Sequence, residues 1–365
     1  MESIQAQKAL LLDQLERYPL SQPVDLLKFL YQQEFGCGHL IEDSRKSLLR
    51  LEQEACEAPA VPHPVEPIGN GLCRLHLCLL KQGDLTSQTL HRMFELSALR
   101  LRGTREGLIQ RANQLQTLCQ AGDFPDHSQE VQALLEQWQQ DGEPLFRHSA
   151  VFRDAYHPAY RVVEASFGFF LPLFQRIDTL LRQKKRVLLA LDGRCASGKT
   201  TLSKLLELVY QAAVVPMDHF FPQPHQRTAS RLEEPGGNVD YERFHQEVLL
   251  PLLEGRSFSY RPYDCHLQQL GDPLLVPERP LTVVEGSYSL HPTLSQAYDC
   301  KVFLTVSPQE QLQRIRMRNG PTMAQRFQQE WIPLEERYFQ AFSVSQQCEF
   351  VFDTGKQPNP LQTFF

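Results

Sequence analysis

A lysine and a threonine close a glycine-rich stretch, Gly193-Arg194-Cys195-Ala196-Ser197-Gly198-Lys199-Thr200-Thr201, and these residue types at this spacing can hold phosphate. Glycine is needed where backbone N–H groups wrap phosphate oxygens and a side chain would collide with them. Each residue from Gly193 to Thr201 is therefore a candidate nucleotide contact. Within that set Lys199 would reach the β- and γ-phosphates and the Thr200 hydroxyl would bind magnesium. The pattern Gly-x-x-x-x-Gly-Lys-Thr is that of a Walker A loop, whose usual ligand is a nucleoside triphosphate such as ATP.

Three further stretches carry matching groups. In "VVPMDHFFPQ", residues 214 to 223, an apolar run ends in Asp218. At the carboxyl edge of a parallel sheet such a carboxylate faces the ligand crevice, where it can align an acceptor hydroxyl and take its proton. The competing assignment is a helix N-cap. In "LTVVEGSYSL", residues 281 to 290, four apolar residues run into Glu285, a carboxylate placed to hold magnesium directly or through water. In "QRIRMRNG", residues 313 to 320, Arg314 and Arg318 stand four apart on one side of a helix. Carried by a mobile segment over the phosphates, they would neutralise transition-state charge; on a solvated face they would do nothing of the kind.

These groups need a scaffold, and the pattern from Val187 onward supplies one. Short apolar, β-rich runs at Val187-Leu191, Ala213-Val215, Leu281-Val284, Lys301-Val306 and Phe350-Phe352 alternate with helical stretches. Near-continuous apolarity suits strands buried on both faces, so the expected class is α/β, with a parallel sheet flanked by helices. Ser307, Pro308 and Glu310 mark a helix start, and Asn319-Gly320 marks its end. The first 165 residues instead show helix-like spacing at Leu10-Leu15, Leu26-Tyr31, Leu90-Leu101, Leu108-Leu118 and Val131-Trp138. One strand-like run, Leu72-Leu80, follows the turn signal Gly69-Asn70-Gly71, and Tyr160 to Lys185 reads as a long helix entering the sheet domain.

Taken in order, "GRCASGKTTL", "MDHFF", "YDC" and "VVEG" resemble the uridine kinase and phosphoribulokinase family of P-loop kinases over roughly Val187 to Asp353. The resemblance implies ATP- and magnesium-dependent phosphorylation of a hydroxyl on a small metabolite, often a ribose. It makes Asp218 the base, gives Glu285 to the metal site, puts Asp192 beside the magnesium shell and assigns Arg314, Arg316 and Arg318 to a lid over the nucleotide. On the acceptor side it points to Tyr263 and His266, with Arg231 and Asp240 in the segment "RTASRLEEPGGNVDYERF". That side departs from the family pattern, because His266 is displaced and the arginine expected after it is missing, so uridine itself is not the expected acceptor. The segment also offers Arg227 and Arg243, and Glu233, Glu234, Asp240 and Glu242 could equally pair with its arginines on a solvated loop. The implied organisation is a mostly helical N-terminal domain, residues 1–165, followed by a P-loop kinase domain, residues 166–365. The alternative is a regulatory P-loop ATPase whose hydrolysis switches the helical domain.

The chain has 365 residues, 42% of them apolar and 22% charged, with a net charge of −6, which is ordinary for a globular protein and lacks the basic excess of a nucleic-acid binder. Gln175, Arg176 and Asp178 interrupt the most apolar stretch, and no basic leader opens the sequence. Nine scattered cysteines without CxxC pairs fit a reducing, cytoplasmic setting. A small-molecule acceptor is the expected partner; nucleic acid and membrane are not, and a homo-oligomer is left open. Two stretches in the first half stand apart, "EFGCGHLIED" (34 to 43) and "RHSAVFRDAYHPAYRVVEASF" (147 to 167). The first is a ligand loop or a turn between helices, and Cys37 within it, with no base nearby, reads as a buried thiol. His39, His76, His148 and His157 lack zinc-like spacing.

Overall fold

The computed structural model describes residues 3 to 356, except 102, 123, 125 and 126. It forms two compact units, one running to Gln175 and one starting at Arg176. Among the described residues no helix is long and apolar enough to cross a membrane.

The first unit surrounds a small antiparallel sheet with helices. Strands β1 (Val65–Gly69), β2 (Leu72–His76) and β3 (Tyr160–Glu164) lie in the order β1-β2-β3. Helices at Ile4–Arg17, Pro23–Phe35, Ser87–Arg100, Arg105–Gln120 and Ser128–Gln140 contain the five helix-spaced runs. Thr86 and Thr104 cap two of them, each hydroxyl accepting a backbone N–H three residues on. The long helix expected from Tyr160 is not there. Tyr160 to Glu164 pairs with β2, from His76 opposite Tyr160 to Leu72 opposite Glu164, and helix starts only at Ala165. Val162-Val163 favour an extended backbone, and the strand they pair with lies far back in the sequence, out of reach of a local pattern.

The glycine-rich stretch at 36 to 38 proves to be a turn packed on a helix. Gly36 has φ +60°, and a Cβ there would stand 2.9 Å from Leu101; Gly38 lies against Ala98. The unit's interior is unusually polar. Arg74 is fully buried and donates to Gln14, Gln32 and Glu66. Burial works against ionisation of Glu66, yet hydrogen bonding from His76 and the charge of Arg74 hold its carboxyl at about 2.

The second unit is built on five parallel strands, β4 (Val187–Gly193), β5 (Ala213–Pro216), β10 (Leu281–Glu285), β11 (Cys300–Thr305) and β12 (Phe350–Asp353), in the order β12-β11-β4-β10-β5. Between β5 and β10 come four short strands, β6 (Phe258–Tyr260), β7 (Tyr263–Asp264), β8 (Gln269–Leu270) and β9 (Leu274–Val276), paired as β6-β9 and β7-β8. All of β4 and β10 is buried, which is why both read as unbroken apolar runs. Register sets the site: Glu285 lies level with Leu191 on one side and Pro216 on the other. The chain therefore leaves β4, β10 and β5 at one edge of the sheet, within reach of a common ligand.

Glu164 gives the first unit a testable pH response. Its carboxylate is buried, Arg100 stands 3.6 Å away, and burial pushes its pKa up to about 7. A raised acid stabilises the fold fully below its unfolded pKa, and that contribution disappears as pH rises through the folded value. Glu164→Gln should therefore melt at a higher temperature than the parent at pH 8, with the gap closing towards pH 5, in calorimetric scans of the full chain.

Candidate active site

The loop after β4 is shaped by one close approach. Gly193 has φ +139°, and a Cβ there would fall 2.0 Å from the Leu304 carbonyl oxygen on β11, so glycine is required. The loop ends at Gly198, also left-handed, which precedes the helix Lys199–Tyr210 and provides it with no side-chain cap. The first N–H groups of that helix are thus left for an anion. Lys199 is 9% exposed and donates to the carbonyls of Gly193 (2.7 Å) and Arg194 (2.9 Å) and to Ser287 Oγ (3.3 Å). Its ammonium is thereby held over the loop.

The acids sit around this cation. Thr200 Oγ1 donates to Glu285 Oε1 at 3.3 Å, so a hydroxyl and a carboxylate stand side by side at the head of the helix. This pair suits a hard divalent cation such as magnesium. Burial pushes the Glu285 pKa up, the charge of Lys199 pulls it down, and the charge of Asp218 raises it again. Asp218 is thus electrostatically in the same site. It lies in the short turn Met217–His219 beyond β5, exposed, with no hydrogen bond or ion pair among the described residues. It caps no helix. The turn is held from behind, where Arg243 donates to the His219 carbonyl at 2.9 Å and His219 Nδ1 meets Tyr260 Oη at 2.7 Å.

Asp192 does not belong to the metal site. It is 0% exposed, and its oxygens accept the N–H groups of Gly193 (2.7 Å) and Leu290 (3.0 Å) and the Tyr338 hydroxyl (2.9 Å). Burial pushes it up to about 6.

Only one of the three arginines of "QRIRMRNG" reaches the loop. The helix from Pro308 breaks at Gly320, as the sequence pattern predicts. Arg314 donates to the Ala196 carbonyl at 3.3 Å and to Thr354 Oγ1 at 3.0 Å. Arg316 and Arg318 are exposed, and Arg318 donates to Asn319 instead. Arg316 projects from a different face of the helix than Arg314, and Arg318 lies one turn further along it.

On the acceptor side the structure divides the candidates. Arg231 is engaged by Glu242 through two bonds (2.6 and 2.7 Å), by the Gly237 and Val239 carbonyls and by Tyr241, so its guanidinium is structural. Asp240 is 1% exposed and caps the helical turn after it through the Arg243 N–H. His266 lies exposed in the turn between β7 and β8, its N–H donated to Asp264. Tyr263 stays near the site: its hydroxyl accepts from Arg227 at 2.9 Å. The strand that carries Tyr263 packs against the Met217–His219 turn that carries Asp218.

Several residues were out of reach of sequence patterning. Glu335, buried, accepts the Cys195 N–H (3.0 Å) and the Ser287 hydroxyl (2.6 Å), while Glu336 holds the Arg194 guanidinium with two bonds. Arg194 therefore lends the loop its backbone alone. Both glutamates and Tyr338 lie on the helix Ile332–Phe342, far from the loop in sequence. Ser287 had a signal, two residues after Glu285 at the end of β10.

A Walker A loop between the middle strand of a five-stranded parallel sheet and a helix is the arrangement of a P-loop kinase-like α/β domain. Solved structures with a similar fold include a possible uridine kinase from Bacillus stearothermophilus, 19% identical, covering 50% of this chain and 100% of that one, with a TM-score of 0.37. A Thermus thermophilus protein is 17% identical (49% of this chain, 94% of that one, TM-score 0.27), and shikimate kinase from Bacteroides thetaiotaomicron is 14% identical (48% and 93%, TM-score 0.27). No protein-family model and no curated protein matches the chain. At these identities the likeness extends to the fold at most, and function rests on the geometry of the site itself.

The structural role of Asp192 is open to measurement. Tyr338→Phe removes one donor from a buried carboxylate and should cost about 1–3 kcal/mol in urea unfolding. Magnesium-dependent nucleotide affinity should stay within about twofold, since the carboxylate faces the core and not the metal site.

Proposed function

We propose that the chain is an ATP-dependent phosphotransferase that moves the γ-phosphate to a hydroxyl of a small polar metabolite. The observation that carries this reading is Asp218: an exposed, uncommitted carboxylate, electrostatically coupled to Glu285 across the crevice from Lys199 and Thr200. A hydrolytic switch has no need of a base on a separate strand end, whereas a kinase needs one beside an acceptor pocket.

The loop's N–H groups and the Lys199 ammonium bind the phosphates of ATP and hold them still, which is most of what phosphoryl transfer asks of a protein. Thr200 and Glu285 would hold magnesium, which when bound neutralises charge on the phosphate oxygens. Asp218 accepts the hydrogen bond of the acceptor hydroxyl, aligns it and takes its proton as the new ester bond forms and the bond from the γ-phosphorus to the bridging oxygen of ADP breaks, ADP leaving. Arg314 braces the loop from outside through Ala196 and Thr354. Arg227 and Tyr263 line the acceptor side, and arginine there favours an acceptor with an anionic or hydroxyl-rich end.

ADP release from Mg-ATP, measured against a panel of nucleosides, pentose phosphates, sugar acids and hydroxy acids, tests this. One acceptor should raise turnover at least about 100-fold over water, and Asp218→Asn should remove that gain by a factor of roughly 10²–10⁴ while leaving ATP affinity nearly unchanged. Lys199→Ala should weaken ATP binding and turnover together. ADP released at one rate with every acceptor, and equally by Asp218→Asn, would replace the kinase reading with the regulatory ATPase.

A further inference from the structure

The two stretches that stand apart in the first half of the sequence meet around one lysine. On the helix Pro23–Phe35 the 3.6-residue period puts Asp25, Lys28 and Gln32 on one face. The outer two are fully committed. Asp25 accepts from His148 Nδ1 (3.0 Å), the Ser149 N–H (2.9 Å) and the Ser149 hydroxyl (2.7 Å). Gln32 donates to Tyr160 Oη at 3.0 Å and accepts from Arg74, and His148 Nε2 meets the same Tyr160 hydroxyl at 2.8 Å. Asp25, His148, Tyr160 and Gln32 thus form a continuous hydrogen-bonded chain alongside Lys28.

Lys28 is 7% exposed and, among the described residues, has no hydrogen bond and no ion pair. Its ammonium has only the Tyr31 ring, at 5.4 Å. Burial lowers its pKa to about 8, and the two charges acting on it beyond that are those of Cys37 and Arg74. Cys37 cannot neutralise it, because burial raises that thiol's pKa and its sulfur accepts the Val162 N–H at 3.2 Å. Arg74 adds to the positive charge, and Asp25 is taken by His148. Burial lowers the pKa of His39 and His148, and the charge of Lys28 adds to that lowering at both. Taking most of a lysine out of water is costly unless an anion meets its ammonium, and no carboxylate among the described residues of this unit pairs with it. Tyr31, His148 and Tyr160 are half-buried and His39 is exposed, so the cluster reaches the surface of its unit.

We propose that Lys28, with Tyr31, His39, His148 and Tyr160, forms a second ligand site in the N-terminal unit that binds a small anion presented as a carboxylate or a phosphate. The site is independent of the phosphate loop and does not rest on the kinase reading. The ligand's charge replaces the missing counter-ion, and the Tyr160 hydroxyl and the imidazoles offer the hydrogen bonds that a planar or tetrahedral oxyanion requires.

The test follows the Lys28 side chain itself by NMR in the full-length chain with isotopically labelled lysine, its signal assigned by its loss in Lys28→Met. A Lys199→Ala background keeps phosphate off the loop. Inorganic phosphate and acetate are the probes. Saturation with one of them should raise the Lys28 titration midpoint by at least about one unit. A response to phosphate alone assigns a phosphate ligand and a response to acetate alone a carboxylate. Lys28→Met should melt at a higher temperature than the parent, because it removes an unpaired buried cation, and anions should no longer raise its melting temperature through this site. A midpoint unmoved by both anions, or a Lys28→Met chain less stable than the parent, overturns the proposal and leaves Lys28 a structural residue.

Discussion

The candidate site depends on a carboxylate that never faces the ligand. Asp192 sits at the carboxyl end of the central strand, sealed from water, and accepts hydrogen bonds from its own loop, from the segment after β10 and from the helix Ile332–Phe342. A buried charge is tolerable only when donors surround it. Here the requirement that three elements converge on one carboxylate fixes their positions relative to each other. The phosphate loop, the Glu285 strand end and the bracing helix are therefore set before any nucleotide arrives, which is the preorganisation that electrostatic catalysis relies on.

Around that knot, charges of opposite sign are arranged in order. Lys199 is held by the loop's carbonyls, Glu285 by the Thr200 hydroxyl, and Arg194 and the Cys195 N–H by the glutamates at 335 and 336. Asp218 is the exception, an exposed acid with no hydrogen bond or ion pair among the described residues. An exposed acid left uncommitted beside Glu285 is the feature on which the proposed transfer reading rests.

Much of this was legible in the sequence where local chemistry decides the outcome. The five parallel strands read as apolar runs, unbroken in β4 and β10 where every residue is buried, and Gly193, Gly198 and Gly320 mark positions that only glycine occupies easily. What stayed hidden was set by partners distant in the chain. Tyr160 to Glu164 looked helical beside an apolar helix, but a strand from residues 72 to 76 claimed it. Arg231 and Asp240 looked like ligand contacts because their types suit a ligand, yet Glu242 and a helical turn took them first. Glu335 had no local sign at all, since its role exists only once its helix lies against the loop.

The proposed kinase hands its phosphate on to an acceptor. Phosphorus-31 NMR of Mg-ATP turned over in a deproteinised extract of small metabolites reads it directly. As ATP is converted to ADP, the lost γ-phosphate signal should reappear as a phosphate ester resonance, with little inorganic phosphate. Inorganic phosphate rising in step with ADP, with no new ester signal, would contradict it.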